Sequence, residues 1–329
     1  MKTTWKGGVS IEYKSSSVII DPQNNHVDAS QAFITHAHLD HSRAFKMHDL
    51  FKFSSEETMA LVSTHEVSIE HWQPLTLNKK IAIDDIEVIP RNSGHILGSF
   101  EYEIVTPEGT VLFTGDFNTE YTKTMKPAES VSCDILVIES TFGSPNFKFP
   151  SEEFIANDMI NWVRETLDKG KIPFFQTDSL GNAQEIIRIF NENTSIPVVT
   201  HWKISEINKV YESYGYSLKY FNEKSEEAKE IISSNEFVVI APKNLSIPHS
   251  SKFAPALVSG WALWYSKHKA FPLSDHADFP RLMKFIEDCN PKIVLTCHSG
   301  MFDEILAKHV EKKLKIRSYP IQLIPTSLL

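Results

Sequence analysis

His36-Ala37-His38-Leu39-Asp40-His41 places four metal-binding side chains within six residues, directly after the apolar run Ala32-Phe33-Ile34-Thr35. A strand that ends in such a cluster puts its ligands on the loop at the strand's C-terminal end. His36 and His38 are two apart, so an extended segment points them the same way. Asp40 and His41 follow as the chain turns, where they can face a second ion beside the first. Imidazole nitrogens with a carboxylate suit zinc, and manganese or iron are compatible with the same donors.

Composition bounds the rest. At 329 residues, with 41% hydrophobic and 23% charged side chains, the chain reads as an ordinary globular protein of one large domain or two smaller ones. No secretory signal is expected at Met1-Lys2-Thr3-Thr4-Trp5-Lys6, and no run approaches the length of a membrane span, so no membrane association is expected. Three cysteines, Cys133, Cys289 and Cys297, are too few for a disulfide framework and fit a reducing cytoplasm. A formal charge of −9 argues against a polybasic nucleic-acid binder. It leaves a nuclease open, because bound divalent cations reverse the local charge.

The first part of the chain is expected to be β-rich, with strands at 9–13, 17–20, 99–105, 110–114 and 135–138. From Gly143 the texture changes to alternating helices and strands. Helices are expected over 152–169, 182–191, 205–214 and 224–233, and strands at 172–176, 198–199 and 237–241. Such alternation implies a parallel sheet with helices on its faces, inserted within the first domain. A helix over 280–289, a strand over 292–296, a helix over 301–313 and a short apolar tail close the chain.

Four further strands end in a titratable or metal-binding residue: Asn92-Ser93-Gly94-His95, Phe113-Thr114-Gly115-Asp116, Val137-Ile138-Glu139 and Thr296-Cys297-His298. Each alone reads more readily as a turn or cap residue than as a ligand. Together with the first motif they repeat one arrangement, the collection of a site at strand C-terminal ends. Cys297 alternates with His298 on its strand and reads as core.

In the order Asp21, His36-x-His38-x-Asp40-His41, His95, Asp116 the chain resembles the metallo-β-lactamase fold. Glu139, His276 and His298 match the additional motifs of its β-CASP nuclease branch. Ile138-Glu139-Ser140-Thr141-Phe142-Gly143, Ser259-Gly260-Trp261 and Leu273-Ser274-Asp275-His276-Ala277-Asp278 look like the ligase-associated DNA exonucleases of prokaryotes. The resemblance implies an α/β protein: a metallo-β-lactamase αββα sandwich over 1–143 and 271–329, with a parallel-sheet β-CASP domain inserted over 144–270. It implies two divalent metal ions, Zn2+ or alternatively Mn2+. His36, His38 and His95 would hold one; Asp40, His41 and His298 the other; Asp116 would bridge them. Asp21 would brace the loop from beneath. Asp40 would also serve catalysis, His276 would be the general acid, and Glu139 would orient it.

The activity so implied is phosphodiester hydrolysis, by a DNA exonuclease acting on single strands or ends in DNA repair, with a ligase as a possible partner. The alternative is RNA processing of the ribonuclease J or mRNA 3′-end type. A small-ester hydrolase and an inactive scaffold are further alternatives. The residue chemistry agrees with hydrolysis: one carboxylate offers two oxygens and can bridge, and an imidazolium can protonate a departing sugar oxygen.

Two weaker signals concern substrate. Ser179, Gly181 and Asn182 stand at a strand-to-helix junction suited to anion binding. Asn182 replaces the Arg or Lys common in relatives, and a plain helix cap explains the loop equally well. Trp261, Trp264, Tyr265, Lys267, His268 and Lys269 interleave aromatics with positive charge, as single-strand binders do, or are core aromatics followed by a solvated turn.

Overall fold

The computed structural model describes residues 1–24, 29–65, 69–247, 250–264 and 268–324. The chain forms two compact units. The first comprises Met1–Tyr121, Lys126–Lys148 and His276–Leu329, and the second Thr122–Met125 and Phe149–Asp275.

The first unit opens with β1 (Lys2–Trp5), β2 (Val9–Tyr13), β3 (Ser16–Ile20), β4 (Gln31–Phe33), β5 (Phe51–Ser54) and β6 (Trp72–Pro74), which make one sheet in that order. The first three run antiparallel as a meander, and β3 to β6 run parallel. Helix α1 (Glu56–Ser63) follows β5, its start capped by Ser55, which accepts from Thr58 N. A second sheet begins with β7 (Ile81–Ile83), β8 (Ile86–Asn92), β9 (Phe100–Thr106), β10 (Gly109–Phe113) and β11 (Ile135–Glu139).

The second unit contributes α2 (Glu152–Asp168), β12 (Ile172–Thr177), α3 (Asn182–Asn193), β13 (Val198–Thr200), α4 (Trp202–Ser213), β14 (Phe221–Asn222), α5 (Glu226–Ser234), β15 (Val238–Pro242), β16 (Phe253–Val258) and β17 (Lys269–Phe271). Its strands pair in the order β14-β13-β15-β12-β16-β17, every pair parallel. In α2 the buried Ile155, Met159 and Val163 recur every four residues, the spacing of a one-sided apolar stripe. Glu185 of α3 holds the loop segment of this unit by accepting from Lys123 N (2.5 Å), Thr124 N (3.0 Å) and Thr124 Oγ1 (2.7 Å).

The chain then returns to the first unit with α6 (Phe279–Cys289), β18 (Ile293–Cys297), α7 (Met301–Leu314) and β19 (Arg317–Pro320). The last two strands extend the second sheet to the order β19-β18-β11-β10-β9-β8-β7. Strand alternation divides the core of this unit into two layers. Val9, Ile11, Val18, Ile20 and Phe33 of the first sheet meet Val88, Tyr102, Ile104, Val111, Phe113 and Val137 of the second. On the second sheet's other face, Leu112, Leu136, Ile138 and Val294 pack against Leu282, Phe285 and Ile286 of α6 and Leu306 and Val310 of α7. Fully buried Tyr102 satisfies its hydroxyl by donating to Ile34 O at 2.7 Å.

Several expected elements differ in detail. Helix α4 starts three residues early, because His201 acts as its cap and accepts from Lys203 N through Nδ1. The expected apolar tail contains β19. Strands β1, β5, β6, β7, β14, β16 and β17 and helix α1 were not anticipated. Most of those strands hold two to four residues, too few for alternation to register, and β16 carries Pro255.

Candidate metal centre

Strand direction gathers the site within the first unit. In the first sheet β3 and β4 are parallel, so Asp21 and the His36–His41 loop leave from the same edge. In the second, β8 is antiparallel to β9 and β9 to β10, while β10, β11 and β18 are parallel. The segments bearing His95, Asp116, Glu139 and His298 therefore leave from one edge as well.

Buried Asp21 anchors the first loop. It accepts from Thr35 N (2.8 Å), Thr35 Oγ1 (2.5 Å) and His41 Nδ1 (2.7 Å). A carboxylate only accepts, so Nδ1 of His41 carries the proton and Nε2 turns toward Asp116 Oδ2, 3.4 Å away. Thr35 spends its own proton on Asp21, so its oxygen accepts from His36 Nδ1 at 2.9 Å. The Nε2 of His36 consequently faces Asp116 Oδ2 at 3.5 Å. One carboxylate and one hydroxyl thus fix the tautomers of two imidazoles.

The centre holds two overlapping donor sets. In one, His36, His38, His95 and Asp116 each offer an atom within 4.8 Å of all the others. His38 Nδ1 lies 3.1 Å from both His36 Nε2 and His95 Nε2, and His95 Nε2 is 3.8 Å from Asp116 Oδ2. In the other set, His41 and His298 share Asp116. The rings of His41 and His298 stack at 4.8 Å. Asp40 reaches toward this set, its Oδ2 3.7 Å from His41 Nε2, with 70% of its side chain exposed. Beside both sets, Asp116, Glu139 and His276 also converge. His276 Nδ1 bonds both oxygens of Glu139 at 3.0 Å, and Glu139 is fixed in turn by Phe117 N at 2.8 Å.

Charge in this buried cluster is arranged for a cation. Burial holds His36 well below its usual pKa, reinforced by the neighbouring His41, so it stays neutral and able to ligate. Burial followed by His41 also lowers His298. At His41 burial would lower the pKa too, but Asp116 and Asp21 outweigh it and raise it to about 10. Asp116 stays ionised: burial opposes this, yet His41, His276, His36 and His95 hold its carboxyl well below the usual range. The Nε2 of His298 is shielded from solvent and makes no hydrogen bond among the described residues. Such a group costs free energy unless something fills its lone pair. Clustered imidazole donors, a shared carboxylate and this uncompensated nitrogen fit divalent cations.

The other anticipated residues lie in the second unit. Gly181 adopts φ +93° before α3, and its N–H is taken by Gln184 Oε1 at 2.8 Å. Ser179 O accepts from Gln184 Nε2, and Asn182 is buried in the first turn. The nearby N–H groups of Ala183, Gln184 and Glu185 bond to Asp178 O and Gly181 O, the pattern of a helix cap. Lys269 is paired with Asp158 at 2.9 Å. Trp261 and Trp264 are 41% and 52% exposed and meet edge to face, so neither is a core residue. Lys267 and Tyr265 lie outside the described residues. Cys297 is buried in the inter-sheet core.

Sequence reasoning missed Thr35, whose hydroxyl links Asp21, His36 and His41, although it directly precedes the motif. It also missed Asp303, which reaches the end of β11 from α7 and carries no local signal.

A protein from Opitutus terrae named "Probable DNA ligase" is 30% identical over 286 residues, covering 83% of this chain and 27% of that protein. An "RNase J-like protein" from Methanocaldococcus jannaschii is 26% identical over 242 residues, covering 63% of this chain and 58% of that protein. These relatives are consistent with the resemblance of the chain to the β-CASP nucleases of the metallo-β-lactamase fold. No family model matches the chain. The chain thus spans about a quarter of the first relative's length and just over half of the second's. A solved structure of a protein of unknown function from Enterococcus faecalis V583 shares the fold, with a TM-score of 0.70 at 14% identity, covering 98% of this chain and 97% of that one. No helix among the described residues is long and apolar enough to cross a membrane.

Proposed function

We propose that the chain is a two-metal phosphodiesterase that hydrolyses nucleic acid, with single strands or ends of DNA as the first substrate to test. The observation that carries this reading is the pair of donor sets sharing Asp116 beside the Glu139–His276 couple. His36, His38, His95 and Asp116 would hold one divalent ion, and Asp116, His41, His298 and Asp40 the other, with zinc or manganese as the metal. When bound, such ions neutralise phosphate charge and make water acidic enough to ionise near neutral pH. Asp40, solvent-facing beside His41, is placed to accept a hydrogen bond from the attacking water. Glu139 keeps the proton of His276 on Nδ1 and stabilises the charged ring, so Nε2 can deliver a second proton. Hydrolysis joins the water oxygen to phosphorus and breaks the bond to the sugar oxygen. That oxygen takes the proton from His276 and departs as a hydroxyl.

Two facing sheets with helices on an outer face support a metallo-β-lactamase αββα domain over 1–143 and 271–329. The wholly parallel third sheet supports a β-CASP insertion over 144–270. The similarity to a probable DNA ligase favours DNA and a role in repair beside a ligase, and the free cysteines Cys133, Cys289 and Cys297 fit a cytoplasmic setting. RNA processing is the second reading, favoured by the RNase J-like relative.

Matched DNA and RNA strands, labelled at either end, separate the two. Metal-dependent shortening of DNA from one end supports the DNA assignment. Faster cleavage of RNA replaces it with the second reading.

A further inference from the structure

His298 is the donor whose backbone is least comfortable. It is not a glycine, yet it sits at φ +75°, and Gly300 follows at φ +57°. Left-handed conformations of this kind persist in larger residues only where surrounding bonds over-determine them. At this turn those bonds converge on Asp303, in the first turn of α7 and 6% exposed.

Asp303 Oδ1 accepts from Ser299 N at 3.0 Å and from the hydroxyl of Ser140, and Gly300 N also bonds its carboxylate. Its own carbonyl accepts from Thr296 Oγ1 at 2.8 Å. Ser140 follows Glu139 at the end of β11, and it ties the two strand ends together: its N donates to Cys297 O at 3.0 Å, while the single proton of its hydroxyl goes to Asp303. The Asp303 carboxylate therefore clasps Ser299 and Gly300, just after His298, to Ser140 on the neighbouring strand, while its main-chain carbonyl holds Thr296, just before. Burial works against this, raising the Asp303 pKa, while the bonds from Ser140 and Ser299 oppose that rise. Keeping a carboxylate there requires those donors to stay in place.

We infer that Asp303, acting with Ser140, is a positioning residue that holds the strained turn of His298 and so sets the occupancy of the ion shared by His41, Asp116 and His298. This rests on the two-metal reading above. The His36–His38–His95 set stands on the connections that follow β4 and β8, not on the turn that Asp303 holds, so it serves as an internal reference.

Full-length wild type, Asp303→Asn and Ser140→Ala are to be compared by metal content after equilibrium dialysis against Zn2+, and by the absorption spectrum of the Co2+ forms. Wild type is expected to hold two ions. Asp303→Asn should keep one tightly and bind the second about 10–100-fold more weakly, the usual effect of losing an outer partner, with a changed Co2+ spectrum. Ser140→Ala should shift the second ion in the same direction, and it decides the matter if Asp303→Asn does not fold. Two ions at wild-type affinity with an unchanged spectrum, or equal weakening of both ions, would overturn the inference while leaving the two-metal reading intact. Fewer than two ions on wild type would overturn that reading, and the inference with it.

Discussion

Asp116 and His276 stand at the centre of the site for different reasons, and substitution should separate them. Asp116 belongs to both donor sets, whereas His276 lies beside them and is bonded to Glu139. Asp116→Ala is expected to lose bound metal and cleavage together. His276→Ala should keep its metal and lose about 10²–10⁴-fold in rate, the usual contribution of a general acid. Metal analysis alongside cleavage assays checks both, and a His276→Ala enzyme that cleaves normally would remove His276 from its role. Away from the site, Glu101 is fully buried with both carboxylate oxygens unpartnered among the described residues. Burial raises its pKa well above the usual value. The folded state then binds the proton more tightly than the unfolded chain, so Glu101 weakens stability as pH rises above about 4.3. Glu101→Gln should therefore raise the melting temperature at pH 8 by several degrees, about 2 °C per kcal/mol, and by little at pH 4.5. An equal change at both values in thermal denaturation would contradict this.

The elements explain how much of the site was legible. His36 to His41 could be read because four donors sit on one loop. His95, Asp116, Glu139 and His298 could be read because each ends an apolar run. Thr35 and Asp303 could not, since their importance lies in partners 14 and 163 residues away. The Ser179–Asn182 loop and Lys269 show the opposite case: residue types suited to phosphate whose N–H groups or ammonium already have protein partners. Gly94, beside His95 in the β8–β9 connection, carries a packing constraint invisible in sequence. It adopts φ +70°, and a methyl group there would come within 2.5 Å of Asn118 O and 2.7 Å of Ala128 N. Gly94→Ala should cost about 1–3 kcal/mol of stability and weaken metal binding through His95, measured by denaturant unfolding and metal titration. Wild-type values in both would show that the connection yields easily.

At the scale of the whole molecule, strand–helix alternation identified the parallel character of the third sheet, and the return of the chain after it was legible from the strand ending in His298. The two-to-four-residue strands that extend the sheets were not, because such pieces form only when longer neighbours template them. The division of labour is nonetheless clear in the first unit, where two facing sheets bring segments from Asp21 to His298 to one centre. The central claim is that this centre cleaves phosphodiester bonds with bound divalent ions. It is tested most directly by incubating end-labelled DNA and RNA with protein stripped of metal, then reloaded with Zn2+ or Mn2+. The expected result is no cleavage by the stripped protein and its restoration on reloading, for at least one of the two polymers. Reloaded wild-type protein, holding two ions yet leaving both polymers intact, would contradict the account.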